Sequence, residues 1–139
     1  MNPRIPTNFR ILVVEDDDAI RSVIVRTLER ELQHLNVSIH EASNTAAASR
    51  RLGQPYDAVV SDQNTGTSPT GIELLERFRQ ANPSAKLILF CGGNLPSGSD
   101  LRLRLINAAY VQKPASMSRV VAILTPPIPA PGEDAYAAL

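Results

Sequence analysis

The sequence predicts an α/β fold in which helices cover both faces of a doubly wound, five-stranded parallel sheet. Three observations support this prediction. Short apolar runs recur along the chain, and those at 10–14, 57–61 and 86–90 lack polar alternation, which is typical of strands buried on both faces. Segments with helical periodicity separate these runs, and turn-forming residues stand between the two kinds of segment. Regular alternation of strand and helix indicates parallel strands joined by helical crossovers.

The first strand is predicted at 10–14 (RILVV), and a helix follows the acidic residues after it. Asp17 or Asp18 is suited to cap this helix, because a short carboxylate accepts hydrogen bonds from its free N–H groups. The helical period joins Ile20, Val23, Ile24, Thr27, Leu28, Glu31 and Leu32, so most of one face is apolar. The second strand, at 37–43, has mixed polarity, which favours a position nearer the edge of the sheet.

In the middle of the chain, Asn44 is suited to cap a short helix that ends at Gly53. The third strand is predicted at 57–61 and is followed by a loop at 63–71. The next helix runs from Ile72 to about Ala81, with Leu74, Leu75 and Phe78 facing inward, and Pro83 closes it.

The remaining elements are a strand at 86–90, a helix at about 100–108, a strand at 109–111 and a helix at about 116–124. We therefore expect one domain over 9–124. Residues 1–8 form an N-terminal extension. Residues 125–139 are rich in proline, which predicts an extended or disordered tail.

Composition excludes several classes of protein. The chain has 139 residues, with 14 basic and 14 acidic side chains and a formal net charge of zero, so no overall field attracts it to nucleic acid or a membrane. A single cysteine, Cys91, excludes an internal disulfide. The sequence contains neither a signal peptide nor an apolar stretch of about 20 residues, so we expect a cytoplasmic protein.

Candidate functional residues follow the strands, because ligands of open parallel sheets bind beyond the carboxyl ends of the strands. Glu15 and Asp16 follow the first strand, Asp62 the third, Cys91 the fourth and Lys113 the fifth. Three carboxylates at one edge repel one another, and a hard divalent cation such as Mg²⁺ relieves that repulsion. A carboxylate beside a metal and a lysine can act as the nucleophile that accepts a phosphoryl group, because the two cations stabilise the phosphoryl oxygens.

Four motifs together resemble the receiver domains of two-component response regulators, including the chemotaxis regulators. They are ILVVEDD, YDAVVSD, LILFCGG and AYVQKP, and they fall in the family's order across residues 10 to about 124. The resemblance implies the flavodoxin-like strand order 2-1-3-4-5. It also implies a cytoplasmic signalling protein.

The resemblance implies a Mg²⁺ site and a phosphorylation site. Glu15 and Asp16 match the acidic pair that positions the metal. Asp62 matches the phosphoacceptor, which also binds the metal. Asn64 matches the residue whose backbone carbonyl completes the metal shell.

Three further positions match residues that act around the phosphoryl group. Lys113 matches the lysine that contacts it. Cys91 stands where the family usually has Ser or Thr. Tyr110 matches the aromatic residue that changes rotamer on activation.

Three departures from the family pattern stand out. Gly71 lies nine residues after Asp62 instead of eight, and the loop between them lacks the usual Met-Pro pair. Cys91 replaces a hydroxyl with a thiol, which is a weak hydrogen-bond donor. We expect phosphorylation to survive and its coupling to conformation to weaken.

The resemblance thus predicts a phosphorelay protein that accepts a phosphoryl group from a histidine kinase or a histidine phosphotransfer protein. We expect it to act on a downstream protein partner, with no direct contact to nucleic acid or membrane, and a homodimer is compatible with it. We expect no enzyme activity beyond acceptance and hydrolysis of its own phosphoryl group.

Two alternatives remain open from the sequence. A degenerate receiver would be an interaction module that works without phosphorylation. A phosphatase of the haloacid dehalogenase type is disfavoured, because Asn64 cannot act as that family's general acid. Flavin and dinucleotide binding are disfavoured too, since aspartates stand where a phosphate-binding loop is needed.

Overall fold

The structure is a computed structural model that describes residues 8–113 and 117–125. Within these residues, five strands alternate with five helices. In chain order they are β1 Phe9–Val14, α1 Asp18–Glu31, β2 Val37–Ala42, α2 Thr45–Ser49, β3 Ala58–Ser61, α3 Gly71–Ala81, β4 Lys86–Cys91, α4 Ser99–Leu105, β5 Ala109–Gln112 and α5 Met117–Leu124.

All five strands are parallel and lie in the order β2-β1-β3-β4-β5, which confirms the predicted fold and strand order. The mixed-polarity strand β2 lies at an edge, as expected. In the register, Val14 pairs with Ala42 on one side and Ser61 on the other. The carboxyl ends of the neighbouring strands β2, β1 and β3 are therefore level, and the loops that follow them meet.

The core forms two apolar layers, one on each face of the sheet. Because side chains alternate along a strand, Leu12 and Val14 face one layer while Ile11 and Val13 face the other. Helices α2, α3 and α4 cover the first layer, and α1 and α5 cover the second. Strands β1, β3 and β4 are therefore buried on both faces, as their apolar composition predicts.

Two helices end earlier than predicted. Helix α2 ends at Ser49, because the chain to Gln54 continues as turns with bonds between residues three apart. Helix α4 ends at Leu105. Asn107 follows with a φ of 53° and stops the helix.

The apolar face of α1 is wider than the core that it covers. Ile24 and Leu28 are buried, whereas Ile20 and Val23 are 39% and 58% exposed. Of the two predicted caps, Asp17 is the one used: it accepts a hydrogen bond of 3.0 Å from the backbone N–H of Ile20.

Most of both predicted terminal segments lies outside the described residues, which leave out 1–7, 114–116 and 126–139. Their predicted extended or disordered character therefore stays a prediction. None of the described helices combines the length and apolar character needed to cross a membrane.

Candidate functional site

Three carboxylates meet at the carboxyl ends of β1 and β3. Glu15, Asp16 and Asp62 each offer one oxygen, and these oxygens lie within 4.8 Å of one another. The strand register explains the convergence, because the backbone N–H of Asp62 donates to the carbonyl of Val14 at 3.0 Å. Residues 46 positions apart along the chain, Asp16 and Asp62, thereby become neighbours.

Lys113 brings a positive charge to this cluster. Its ammonium group is paired with the Glu15 carboxylate and lies 3.6 Å from Oδ2 of Asp62. The same ammonium lies 5.4 Å from the centre of the Phe90 ring, which adds a cation–π contact. The structure thus brings together four of the residues predicted from the sequence.

Burial makes Glu15 costly to ionise. Glu15 is almost fully buried, and its pKa is raised chiefly by loss of hydration, with a smaller contribution from the negative charge of Asp62. The pairing with Lys113 opposes this rise without cancelling it. The donors are all oxygen atoms on a partly open rim, which fits a hard divalent cation such as Mg²⁺ or Ca²⁺.

Asp62 remains accessible to a reactant. Its side chain is 16% exposed, and Oδ1 accepts a hydrogen bond of 2.7 Å from the backbone N–H of Gln63. That bond fixes the carboxylate, so Oδ2 is the oxygen on the side of Lys113. A half-buried, oriented carboxylate beside a cation has the arrangement that a nucleophile needs.

The loop at 63–70, between β3 and α3, is held tightly despite its extra residue. The carbonyl of buried Gln63 accepts from the N–H of Gly71 at 2.8 Å, and its side chain accepts from the N–H of Ile72 at 2.8 Å. A Cβ at position 71 would lie 2.1 Å from the carbonyl oxygen of Asp62, so glycine is required there. Asn64, in this loop, is exposed.

Cys91 and Tyr110 lie on the other side of the site. The thiol of Cys91 is buried, and its pKa is raised by that burial and, less strongly, by the charge of Asp62. It interacts with the hydroxyl of Tyr110, whose pKa is raised by burial and by this thiol. Tyr110 is half-buried and lines a shallow depression of about 210 Å³ beside α4. Neither group is ionised near neutral pH.

Several contacts around the site have no counterpart in the sequence predictions. Arg21 donates to the carbonyl of Glu15 at 2.7 Å and steadies the turn after β1. Phe90 lies beneath Lys113. Thr45 on α2 bonds to the loop after β3. For Arg21 a signal existed, since it lies one helical turn beyond the acidic run; for Thr45 none did.

Comparison with known families gives one match across most of the chain. The family model described as "Response regulator receiver domain" matches residues 11–125. The protein-glutamate methylesterase/protein-glutamine glutaminase of group 2 operon from Rhodospirillum centenum is 31% identical over 111 residues. That match covers 78% of this chain and 27% of the methylesterase, so the chain spans about a quarter of its relative.

Solved structures share the fold. A receiver domain protein from Methanospirillum hungatei superposes with a TM-score of 0.70 at 24% identity, covering 84% of this chain and 90% of its own. A response regulator protein from Burkholderia pseudomallei, solved with a phosphorylated aspartic acid and a calcium ion, gives a TM-score of 0.69 at 19% identity. It covers 94% of this chain and 71% of its own.

Proposed function

The chain belongs to the response regulator receiver domain family, and on that premise we propose that it accepts a phosphoryl group on Asp62 and thereby changes its contacts with other proteins. The observation that carries the proposal is the meeting of Glu15, Asp16, Asp62 and Lys113 at one rim of the sheet. The structure from Burkholderia pseudomallei with the same fold contains a phosphorylated aspartic acid and a calcium ion. It therefore supports both the proposed phosphoacceptor and the proposed metal site.

The proposed donor is a phosphohistidine on a histidine kinase or a histidine phosphotransfer protein. An Asp62 oxygen forms a bond to phosphorus while the phosphorus–nitrogen bond of the donor breaks, and the released imidazole takes up a proton. The product is an aspartyl phosphate. The bond from Gln63 to Oδ1 holds the carboxylate in one orientation for this attack.

Mg²⁺ is the proposed cofactor, held by Glu15, Asp16, Asp62 and the backbone carbonyl of Asn64. When bound, it would supply positive charge to the transferring phosphoryl oxygens. Lys113 adds a second positive charge. Its ammonium is paired with Glu15 and lies 3.6 Å from Oδ2 of Asp62. From there the flexible lysine side chain can move to contact an incoming phosphoryl oxygen.

The proposed output is a changed protein–protein surface formed by β5 and the last helices, in a chain with no further enzyme activity. Cys91 and Tyr110 connect the site to that surface, because Cys91 lies at the end of β4 and Tyr110 faces α4. New negative charge at Asp62 would bias this region between two arrangements. The predicted domain of 9–124, with its extension and tail, is part of the same proposal.

The direct test is incubation with Mg²⁺ and acetyl phosphate, followed by intact-mass measurement. We expect a phosphate-sized mass increase in the wild type and complete loss of it in Asp62→Asn. Asp57→Asn is the matched control, since Asp57 lies just before β3, at the opposite end of that strand from Asp62, where its carboxylate accepts from the N–H of Arg10 at 2.8 Å. Equal modification of Asp62→Asn and wild type would refute the proposal.

A degenerate receiver is the second candidate, and the buried thiol of Cys91 favours it. A thiol donates weakly to a phosphoryl oxygen, so the usual response could be lost. Beryllofluoride with Mg²⁺ mimics the aspartyl phosphate. If the NMR spectrum around Asp62 and Tyr110 does not change on its addition, the chain works as an interaction module without phosphorylation.

A further inference from the structure

Three threonines connect the loop after β3 to the start of α2. We call Thr45, Thr65 and Thr67 the threonine cluster. Thr45 is the first residue of α2 and is fully buried, and Thr65 is 5% exposed. Thr67 is exposed at the surface of the loop. Residues about 20 positions apart therefore form one polar group beneath the rim of the sheet.

The cluster is closely bonded. The backbone N–H of Thr45 donates to Oγ1 of Thr65 at 2.9 Å, and the N–H of Ala46 donates to Oγ1 of Thr67 at 3.2 Å. Oγ1 of Thr45 lies 3.2 Å from Oγ1 of Thr65 and 3.0 Å from Oγ1 of Thr67. It is also bonded to the carbonyl of Pro69.

The three hydroxyl protons can all be used at once. If Thr45 donates to the carbonyl of Pro69, its oxygen remains free to accept from Thr67. The hydroxyl of Thr65 then donates to Thr67, 3.3 Å away. Buried hydroxyls with every donor and acceptor satisfied rigidify the segments that they join. Loss of one hydroxyl would leave buried partners unsatisfied.

Asn64 lies between two anchored residues. On one side, buried Gln63 is bonded to the first turn of α3 through Gly71 and Ile72. On the other side, Thr65 accepts from the backbone N–H of Thr45, and its hydroxyl is bonded to that of Thr67, which the Thr45 hydroxyl holds. The backbone of Asn64 is thus fixed from two directions, although its own side chain is exposed.

From this arrangement we infer that Thr45 is a positioning residue, whose hydroxyl holds the 63–70 loop so that the Asn64 carbonyl faces the divalent cation. The inference rests on the proposed function, which assigns that carbonyl to the metal. The inference adds to the proposed site a residue from α2, which is not itself assigned to the metal or the phosphate. Groups that orient metal ligands commonly change metal affinity when they are removed.

The test compares Thr45→Val with Thr45→Ser in the whole chain by calorimetric titration with Mg²⁺. Valine keeps the shape of threonine and removes the hydroxyl, and we expect it to weaken Mg²⁺ binding about tenfold. Serine keeps the hydroxyl, so it should bind close to the wild type. Urea denaturation without metal gives the folded fraction of each variant and separates lost positioning from lost stability.

Ser49→Ala is the matched control within α2. The hydroxyl of Ser49 donates to the carbonyl of Ala46 at 2.7 Å, within its own helix, so its removal should leave Mg²⁺ affinity unchanged. If Thr45→Val binds like the wild type, or weakens only in proportion to unfolding, the inference is wrong.

Thr67→Val decides the matter if Thr45→Val does not fold, because Thr67 is exposed and its removal is tolerated more easily. We expect a smaller weakening in the same direction, and wild-type affinity would overturn the inference. Absence of Mg²⁺ binding in the wild type is a different result, because it refutes the proposed metal site itself.

Discussion

The two loops that border the site differ in how firmly they are held. The loop at 63–70 carries buried Gln63 and Thr65, and it ends in a capping box in which Thr70 and Glu73 satisfy each other's backbone N–H groups. The loop at 92–98, between β4 and α4, is exposed apart from half-buried Leu95. It ends at Gly98, which has a φ of 87° and no side-chain cap for α4.

This difference indicates which side of the site can change conformation. A segment with few buried contacts and an uncapped helix opens at low free energy, whereas a buried, hydrogen-bonded segment does not. Under the proposed function, the side that holds metal and acceptor is fixed before phosphate arrives. The side that contains Cys91, α4 and Tyr110 has room to move.

The largest effect is expected from a substitution of Gly71, which lies on the firmly held side of the site. Alanine there would place its Cβ 2.1 Å from the carbonyl oxygen of Asp62 and must displace backbone. We expect Gly71→Ala to lower the free energy of unfolding by about 3 kcal/mol, measured by urea denaturation.

Gly93→Ala is the matched change in the loose loop. A Cβ there meets no atom within 4 Å, so we expect a change in the free energy of unfolding within about 0.5 kcal/mol. Similar stabilities of the two variants would show that the loops do not differ as described.

A smaller effect is expected from Cys91→Ser, which tests the response of the loosely held side of the site. Serine supplies a hydroxyl of similar size, and Tyr110 offers it a hydrogen-bond partner, so the stability cost should stay within about 1 kcal/mol. We expect beryllofluoride with Mg²⁺ to shift the NMR signals of Tyr110 more in Cys91→Ser than in the wild type. Equal shifts would mean that the thiol does not limit the response.

The smallest effect concerns charge on the firm side. The pKa of Glu15 is raised in the folded protein above its ordinary value of 4.5, chiefly by burial. The folded state therefore holds this proton more tightly than the unfolded chain, and the free energy of unfolding falls as pH rises through this window above 4.5. Wild type should lose stability relative to Glu15→Gln over that range.

Denaturation of both proteins at a series of pH values, without metal, measures this difference. Mg²⁺ should reduce it, because a cation compensates the buried charge. If the difference between wild type and Glu15→Gln does not depend on pH, burial does not control the ionisation of Glu15.

Most of the fold was predictable, because apolar periodicity is a local property of the sequence. The buried runs at β1, β3 and β4 and the caps Asp17 and Asn44 follow from neighbouring residues alone. The ends of α2 and α4 were placed too late. Those ends depend on turns and on the positive φ of Asn107, and the apolar periodicity of the sequence gives no information about either.

The candidate site was predictable where residues end strands. Glu15, Asp16, Asp62 and Lys113 come together because parallel strands align their carboxyl ends. The role of Thr45 in holding the loop was not predictable, since it depends on pairing between segments about 20 residues apart that only the folded chain brings into contact.

The backbone N–H of Lys113 donates to the carbonyl of Cys91 at 2.8 Å, one residue beyond the last strand pair of β4 and β5. This bond involves no side chain, so the spacing between the two positions is independent of which amino acid stands at 91. Under the proposed function, exchange of the residue at 91 would therefore alter the hydrogen bond available to a phosphoryl group without displacing the lysine.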